Sequence, residues 1–62
     1  MSTGEKLRKA REKKGFTQQE LAKRVSVSQS MIAQIERGTK AMSVELCKEV
    51  ANAMECEVGE LL

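Results

Sequence analysis

Apolar positions in this chain recur every three or four residues, the period of a helix with one buried face. They mark five helical segments and no strand. The first runs from about Thr3 to Lys14, with Leu7 and Ala10 on one side and Arg11 beside them. The second starts at Thr17 and buries Leu21, Ala22 and Val25; the third is capped by Ser28 and ends near Arg37. The fourth begins after Ser43 and runs to about Met54, its apolar positions being Val44, Cys47, Val50, Ala51 and Met54. A last short helix spans Val58 to Leu62.

The polar punctuation agrees with these limits. Ser2 with Glu5, and Thr17 with Glu20, have the spacing of a capping box, in which hydroxyl and carboxylate satisfy otherwise unpaired backbone N–H groups. Gly15 and Gly38 follow the first and third helices, where a left-handed residue is favoured. Phe16 precedes the second cap and can staple onto Leu21. Only Ser26 and Val27 separate the second helix from the third cap, which forces a sharp turn with Val27 plugging the corner. No internal repeat, linker or low-complexity segment interrupts the pattern, so residues 1–62 read as one domain.

The orientation of the third helix carries the functional argument. At about 100° per residue, Ser28, Ile32 and Ile35 share one side, and Gln29, Ser30, Ala33, Gln34 and Arg37 share the other. Burying the isoleucines turns the second set outward, while Met31 borders the core. A glutamine amide both donates and accepts, so it can pair bidentately with adenine in the DNA major groove. Serine pairs with several base edges, and Ala33 can touch a thymine methyl. These four residues are the expected base readers. The start of the second helix offers free N–H groups that favour a phosphate. Thr17 caps it, and Gln18 can bond the same phosphate or brace Gln29. Arg37 and Lys40 can grip phosphate oxygens, contacts that set position without reading sequence.

Charge sharpens this picture. Up to residue 24, eight cations face three anions; from residue 41 onward, Lys48 faces five glutamates. A basic front and an acidic back suit a molecule oriented on a polyanion. The second reading is a solvated surface with chance asymmetry.

Size and composition set further bounds. A chain of 62 residues is below the roughly 70–80 at which one core suffices comfortably, so self-association is expected. Met54, Val58, Leu61 and Leu62 are the expected two-fold contact, the other reading being that they close the core. Two cysteines and no histidine leave no metal site: Cys47 reads as a small core residue, Cys56 as a partly exposed one. No long apolar run suggests a membrane span, and MSTGEK does not open a signal peptide, so a cytoplasmic protein is expected. With no histidine, no tyrosine and no glycine-rich phosphate loop, catalysis, a small-molecule substrate and a cofactor are not expected.

The stretch LRKAREKKGFTQQELAKRVSVSQSMIAQIERG resembles the phage repressor and Cro-like helix-turn-helix family, the XRE-type transcriptional regulators. The similarity continues through SVELCKEVANAMECEVGELL, and its most specific parts are AREKKGFTQQELA and Ile35-Glu36-Arg37-Gly38 with Ile32. The resemblance implies an all-α, compact, five-helix lambda-repressor-like DNA-binding domain, its helix-turn-helix unit at about 17–37. It implies a homodimer on a dyad-symmetric operator in double-stranded DNA, acting mainly as a transcriptional regulator, here a repressor. It places Gln18, Gln29, Ser30, Ala33 and Gln34 toward DNA, and Arg37 and the loop after it near the backbone. It also implies a partly buried ion pair between Arg11 and Glu36.

Two positions depart from the family pattern. Ser26 and Glu55 stand where glycine is usual, and Glu57 is a poorer cap than serine or aspartate. The alternative function is a protein-interaction module, antitoxin-like or coactivator-like, whose main partner is another protein. Salt-dependent binding to duplex DNA separates the two.

Overall fold

A computed structural model describes all residues from Met1 to Leu62. Four α-helices succeed one another: α1 (Thr3–Lys14), α2 (Gln18–Arg24), α3 (Gln29–Arg37) and α4 (Val44–Ala53). The fifth element is a single 3-10 turn, Val58–Glu60, rather than a helix reaching Leu62. Its start explains the difference. The Glu57 side chain makes no capping bond; only the Glu57 N–H is held, by the Glu60 carboxylate at 2.8 Å.

The other four starts are capped as their residues require. Ser2 and Thr17 accept from the N–H of Glu5 and Glu20, and each glutamate returns a bond to its cap's N–H, closing two capping boxes. Ser28 and Ser43 accept from Met31 and Leu46 in the same way.

All four helices end in one motif. The second residue past α1 and α3, and the third past α2 and α4, donates its N–H five residues back: Phe16 to Arg11, Thr39 to Gln34, Val27 to Ala22, Cys56 to Ala51, all at 2.9–3.1 Å. The residue before it must then be left-handed. Gly15 (φ 79°) and Gly38 (φ 83°) supply that after α1 and α3, but Ser26 (φ 56°) and Glu55 (φ 55°) do so after α2 and α4. Phe16, Val27 and Cys56 then pack against the core, the apolar contact that accompanies this ending.

The core holds 12 buried apolar residues drawn from all four helices and their ends, with Leu61 after the last turn. α3 lies against both α1 and α2, and α4 covers α2. The C-terminal half departs from expectation at two places. Val44 is 57% exposed, and Leu46 is buried instead. Val44 sits in the first turn, roughly 90° from the centre of the buried stripe, so it lies at the stripe's edge. Met54 (1% exposed) and Leu61 (0%) are inside the core. They therefore offer no surface for the expected dimer contact. The turn at Glu55 folds the chain back and drops Leu61 onto the core. Val58 is half-buried and Leu62 is exposed.

Gly4 permits the closest approach between helices. A side-chain carbon there would collide with the Ile35 carbonyl oxygen and come within 2.7 Å of that of Glu36. Only glycine lets the start of α1 reach the end of α3. No helix is long and apolar enough to cross a membrane.

Candidate nucleic-acid interface

Ile32 (0% exposed) and Ile35 (2%) anchor the inner side of α3. Their burial fixes the helix about its axis. Gln29, Ser30 and Arg37 are then exposed, and Ala33 and Gln34 are half-buried at the edge of the same outward side. Gln34 Nε2 donates to Ser30 Oγ at 3.1 Å, one helical turn earlier. That bond orients the Gln34 amide and leaves its oxygen and the Ser30 hydroxyl proton free to face a ligand. Ser28, placed with the isoleucines by spacing alone, is the exposed cap of the helix.

A polar network beneath this side sets the angle between helices. Arg11 grips Glu36 with two bonds, Nε to Oε2 at 2.7 Å and Nη2 to Oε1 at 3.1 Å. Its third group, Nη1, donates to the Phe16 carbonyl at 2.8 Å. Gln18 Nε2 donates to Glu36 Oε1 at 3.0 Å. Glu36 thus joins α1, the start of α2 and α3 at one carboxylate. The pair is largely withdrawn from water, with 10% and 5% of the two side chains exposed. The hydrogen bond to Glu36 raises Arg11 above the ordinary arginine value against the opposing effect of burial. No buried side-chain nitrogen or oxygen lacks a partner. Gln18 therefore braces Glu36, not Gln29. Its amide has two donor hydrogens, so one stays available at the surface.

Thr17 is the cap of α2: its Oγ1 accepts from the Glu20 N–H at 3.0 Å. Thr17 is exposed at the surface. At the other end of α3, the Thr39 hydroxyl donates to the Gln34 carbonyl at 3.2 Å and stiffens the exit. Arg37 and Lys40 both project from this exit and are exposed.

Sequence reasoning missed one residue here. A polar surface cleft of about 310 Å³ opens between α1 and α3, lined by Arg8, Arg11, Gln18, Ala33, Glu36 and Arg37. It brings Arg8 beside Arg37 with a single carboxylate, Glu36, among the lining groups. Arg8 is three residues before Arg11 on α1 and bonds only the exposed Glu12 at 3.3 Å. The three-residue spacing of Arg8 and Arg11 was the available signal. Arg24, by contrast, is committed to the Phe16 ring, 4.5 Å above its centre.

The cysteines take no part. Both are free thiols, Cys47 buried and Cys56 half-buried. Burial, with help from Glu60, pushes the Cys56 thiol up, away from the reactive thiolate.

Comparison with known proteins agrees with this arrangement. A family model described as helix-turn-helix matches residues 7–61. The chain is 33% identical over 58 residues to the uncharacterized HTH-type transcriptional regulator YazB of Bacillus subtilis, covering 94% of this chain and 84% of that protein. It is 41% identical over 54 residues to y4dL of Sinorhizobium fredii, also an uncharacterized HTH-type transcriptional regulator. That match covers 87% of this chain but only 28% of y4dL, a much longer protein. Among solved structures, the restriction-modification controller protein C.AhdI of Aeromonas hydrophila superposes with a TM-score of 0.91 at 32% identity, covering 97% of this chain and 91% of that one. The clp gene regulator ClgR of Corynebacterium glutamicum gives 0.91 at 37% identity, covering 95% of this chain and 63% of ClgR. With the fold, the outward α3 side and the matched residues in agreement, this chain belongs to the helix-turn-helix family of DNA-binding transcriptional regulators.

Proposed function

We propose that the chain is a sequence-specific, cytoplasmic repressor that lays α3 in the major groove of an operator. One observation supports this above the others: Ile32 and Ile35 are buried and oblige Gln29, Ser30, Ala33 and Gln34 to face outward. Gln29 and Gln34 read base edges by amide pairs, each worth roughly 1–3 kcal/mol of discrimination. Ser30 and Ala33 complete the readout. Thr17, Gln18, Arg37 and Lys40 hold phosphates and set register, and Arg8 joins Arg37 along their shared cleft. Repression is by occupancy of a promoter.

The polar network serves this directly. Gln18 and Glu36 are bonded, so the phosphate-holding start of α2 and the reading helix move as one body. The chain acts on residues 1–62 as a single DNA-binding domain. It pairs with a second copy through Val58 and Leu62, the apolar residues of the C-terminal turn that the core leaves at the surface. Two recognition helices then meet half-sites about 34–36 Å apart, one turn of DNA.

Selection of bound fragments from a random duplex library tests the reading. A dyad-symmetric consensus with that spacing is expected, with affinity falling steeply as salt rises. A flat base preference would overturn sequence reading. Binding insensitive to salt would instead favour the interaction-module alternative.

A further inference from the structure

Each flank of α1 borders a cleft. The smaller adjoins α3; the larger, about 740 Å³, opens on the other flank, between α1 and the C-terminal turn. Lys6, Lys9 and Lys13 form one wall of the larger cleft. Their spacing of three and four residues puts them roughly 4.5 and 6 Å apart along the helix axis. Ala10 and Cys56 lie half-buried on its floor, and Met1, 65% exposed, stands at its mouth.

Lys9 and Lys13 have no carboxylate partner. The ion pairs of the chain are Arg8–Glu12, Arg11–Glu36 and Lys14–Glu55. Lys6 donates to the Leu62 carbonyl oxygen, and Lys9 reaches only the Met1 sulfur at 3.8 Å. Two exposed ammonium groups with no oxygen partner, one turn apart beside an apolar floor, want carboxylates and one apolar side chain. A nucleic acid fits less well, because a sugar-phosphate chain has nothing to bury on the apolar floor.

We propose that this cleft docks an acidic amphipathic helix of a partner protein, its carboxylates on Lys9 and Lys13 and an apolar side chain over Ala10 and Cys56. The mode is a helix laid in a groove, with one apolar side chain as anchor. None of the lining residues lies between positions 17 and 40. Partner and DNA therefore occupy different sides of the molecule, and the chain can hold both at once. The inference does not depend on which operator, if any, α3 reads.

A fluorescein-labelled four-turn peptide of glutamate, alanine and leucine, with leucines on one face, is the probe, followed by anisotropy on the full chain. Saturable binding is expected, undiminished when duplex DNA is added. K9E/K13E should weaken it about tenfold and K9Q/K13Q by less. Both lysines are exposed, and an unchanged thermal melt verifies that each variant folds. The inference is overturned by no binding to the parent chain, or by equal binding to K9E/K13E. It is equally overturned if a glutamate–alanine peptide without leucine binds as tightly, or if duplex DNA releases the probe.

Discussion

α1 and α3 end on glycine; α2 and α4 end in the same hydrogen-bonded motif on Ser26 and Glu55. The geometry is common to all four, so the difference lies only in the side chain at the left-handed position. A side chain there costs roughly 1–2 kcal/mol. The strain persists because the next residue is held in place: Val27 and Cys56 are bonded back to Ala22 and Ala51 and packed on the core. The relaxed pair of helices is also the pair joined by Arg11 and Glu36, beneath the outward side of α3. Strain is thus stored where α2 and α4 end, and kept out of the α1–α3 contact.

The largest effect is expected from removing that contact. Arg11→Ala strands the Glu36 carboxylate in a site where only 5% of its side chain meets water. Breaking one partner of a buried pair costs roughly 3–5 kcal/mol. The variant should melt far below the parent and lose DNA binding by unfolding, as followed by circular dichroism. A parent-like melt would show that the pair does not hold α1 to α3.

Exchanging the turn residues comes next. Gly15→Ala and Gly38→Ala meet no neighbouring atom within 4 Å, so their cost is conformational alone, roughly 1–2 kcal/mol each. The reverse changes should stabilise. Ser26→Gly is expected to gain about 0.5–1 kcal/mol after the extra chain entropy of glycine, a rise of roughly 2–8 °C in Tm for a domain this small. Glu55→Gly should gain less, because it also removes the 2.7 Å bond from Lys14. Equal gains would mean that the Lys14–Glu55 bond adds no stability, and a loss at Ser26 would mean that its left-handed backbone stores no strain.

The smallest effect concerns acid. Backbone N–H bonds from the caps, with the hydroxyls of Ser2 and Thr17, hold Glu5 and Glu20 below the ordinary 4.5. A depressed carboxylate adds stability above its unfolded value and loses it as pH falls through the folded one. The parent should therefore weaken below about pH 4.5, where both values lie. Glu20→Gln keeps a capping-box side chain and should flatten that fall, as read from denaturant midpoints at several pH values. An unchanged slope would remove Glu20 from the acid response.

The contrast also shows what the chain's own residues make legible. Capping boxes, glycine endings and the inward isoleucines are local patterns within a few residues, and all were readable along the chain itself. The Arg11–Glu36 pair needed the family resemblance, since nothing within α1 points to a partner 25 positions away. Gly4 carries no pattern at all; its necessity arises only when α3 docks on it. The C-terminal end was least legible. A three-residue turn has no period to read, so Leu61 could not be distinguished from Val58 and Leu62 until the Glu55 turn folded it inward, whereas Met54 continues the apolar stripe of α4 into the core. Gln18 bonds Glu36 rather than Gln29, because the partner sits 18 positions away, where no local pattern points.

The outward orientation of the α3 side is tested most directly by repeating the duplex selection with Gln29→Ala and with Arg37→Ala. Gln29→Ala should relax or change the preferred base at one position in each half-site, while Arg37→Ala should weaken binding evenly and leave the consensus intact. The same consensus from Gln29→Ala as from the parent would contradict a base-reading role for this side of α3.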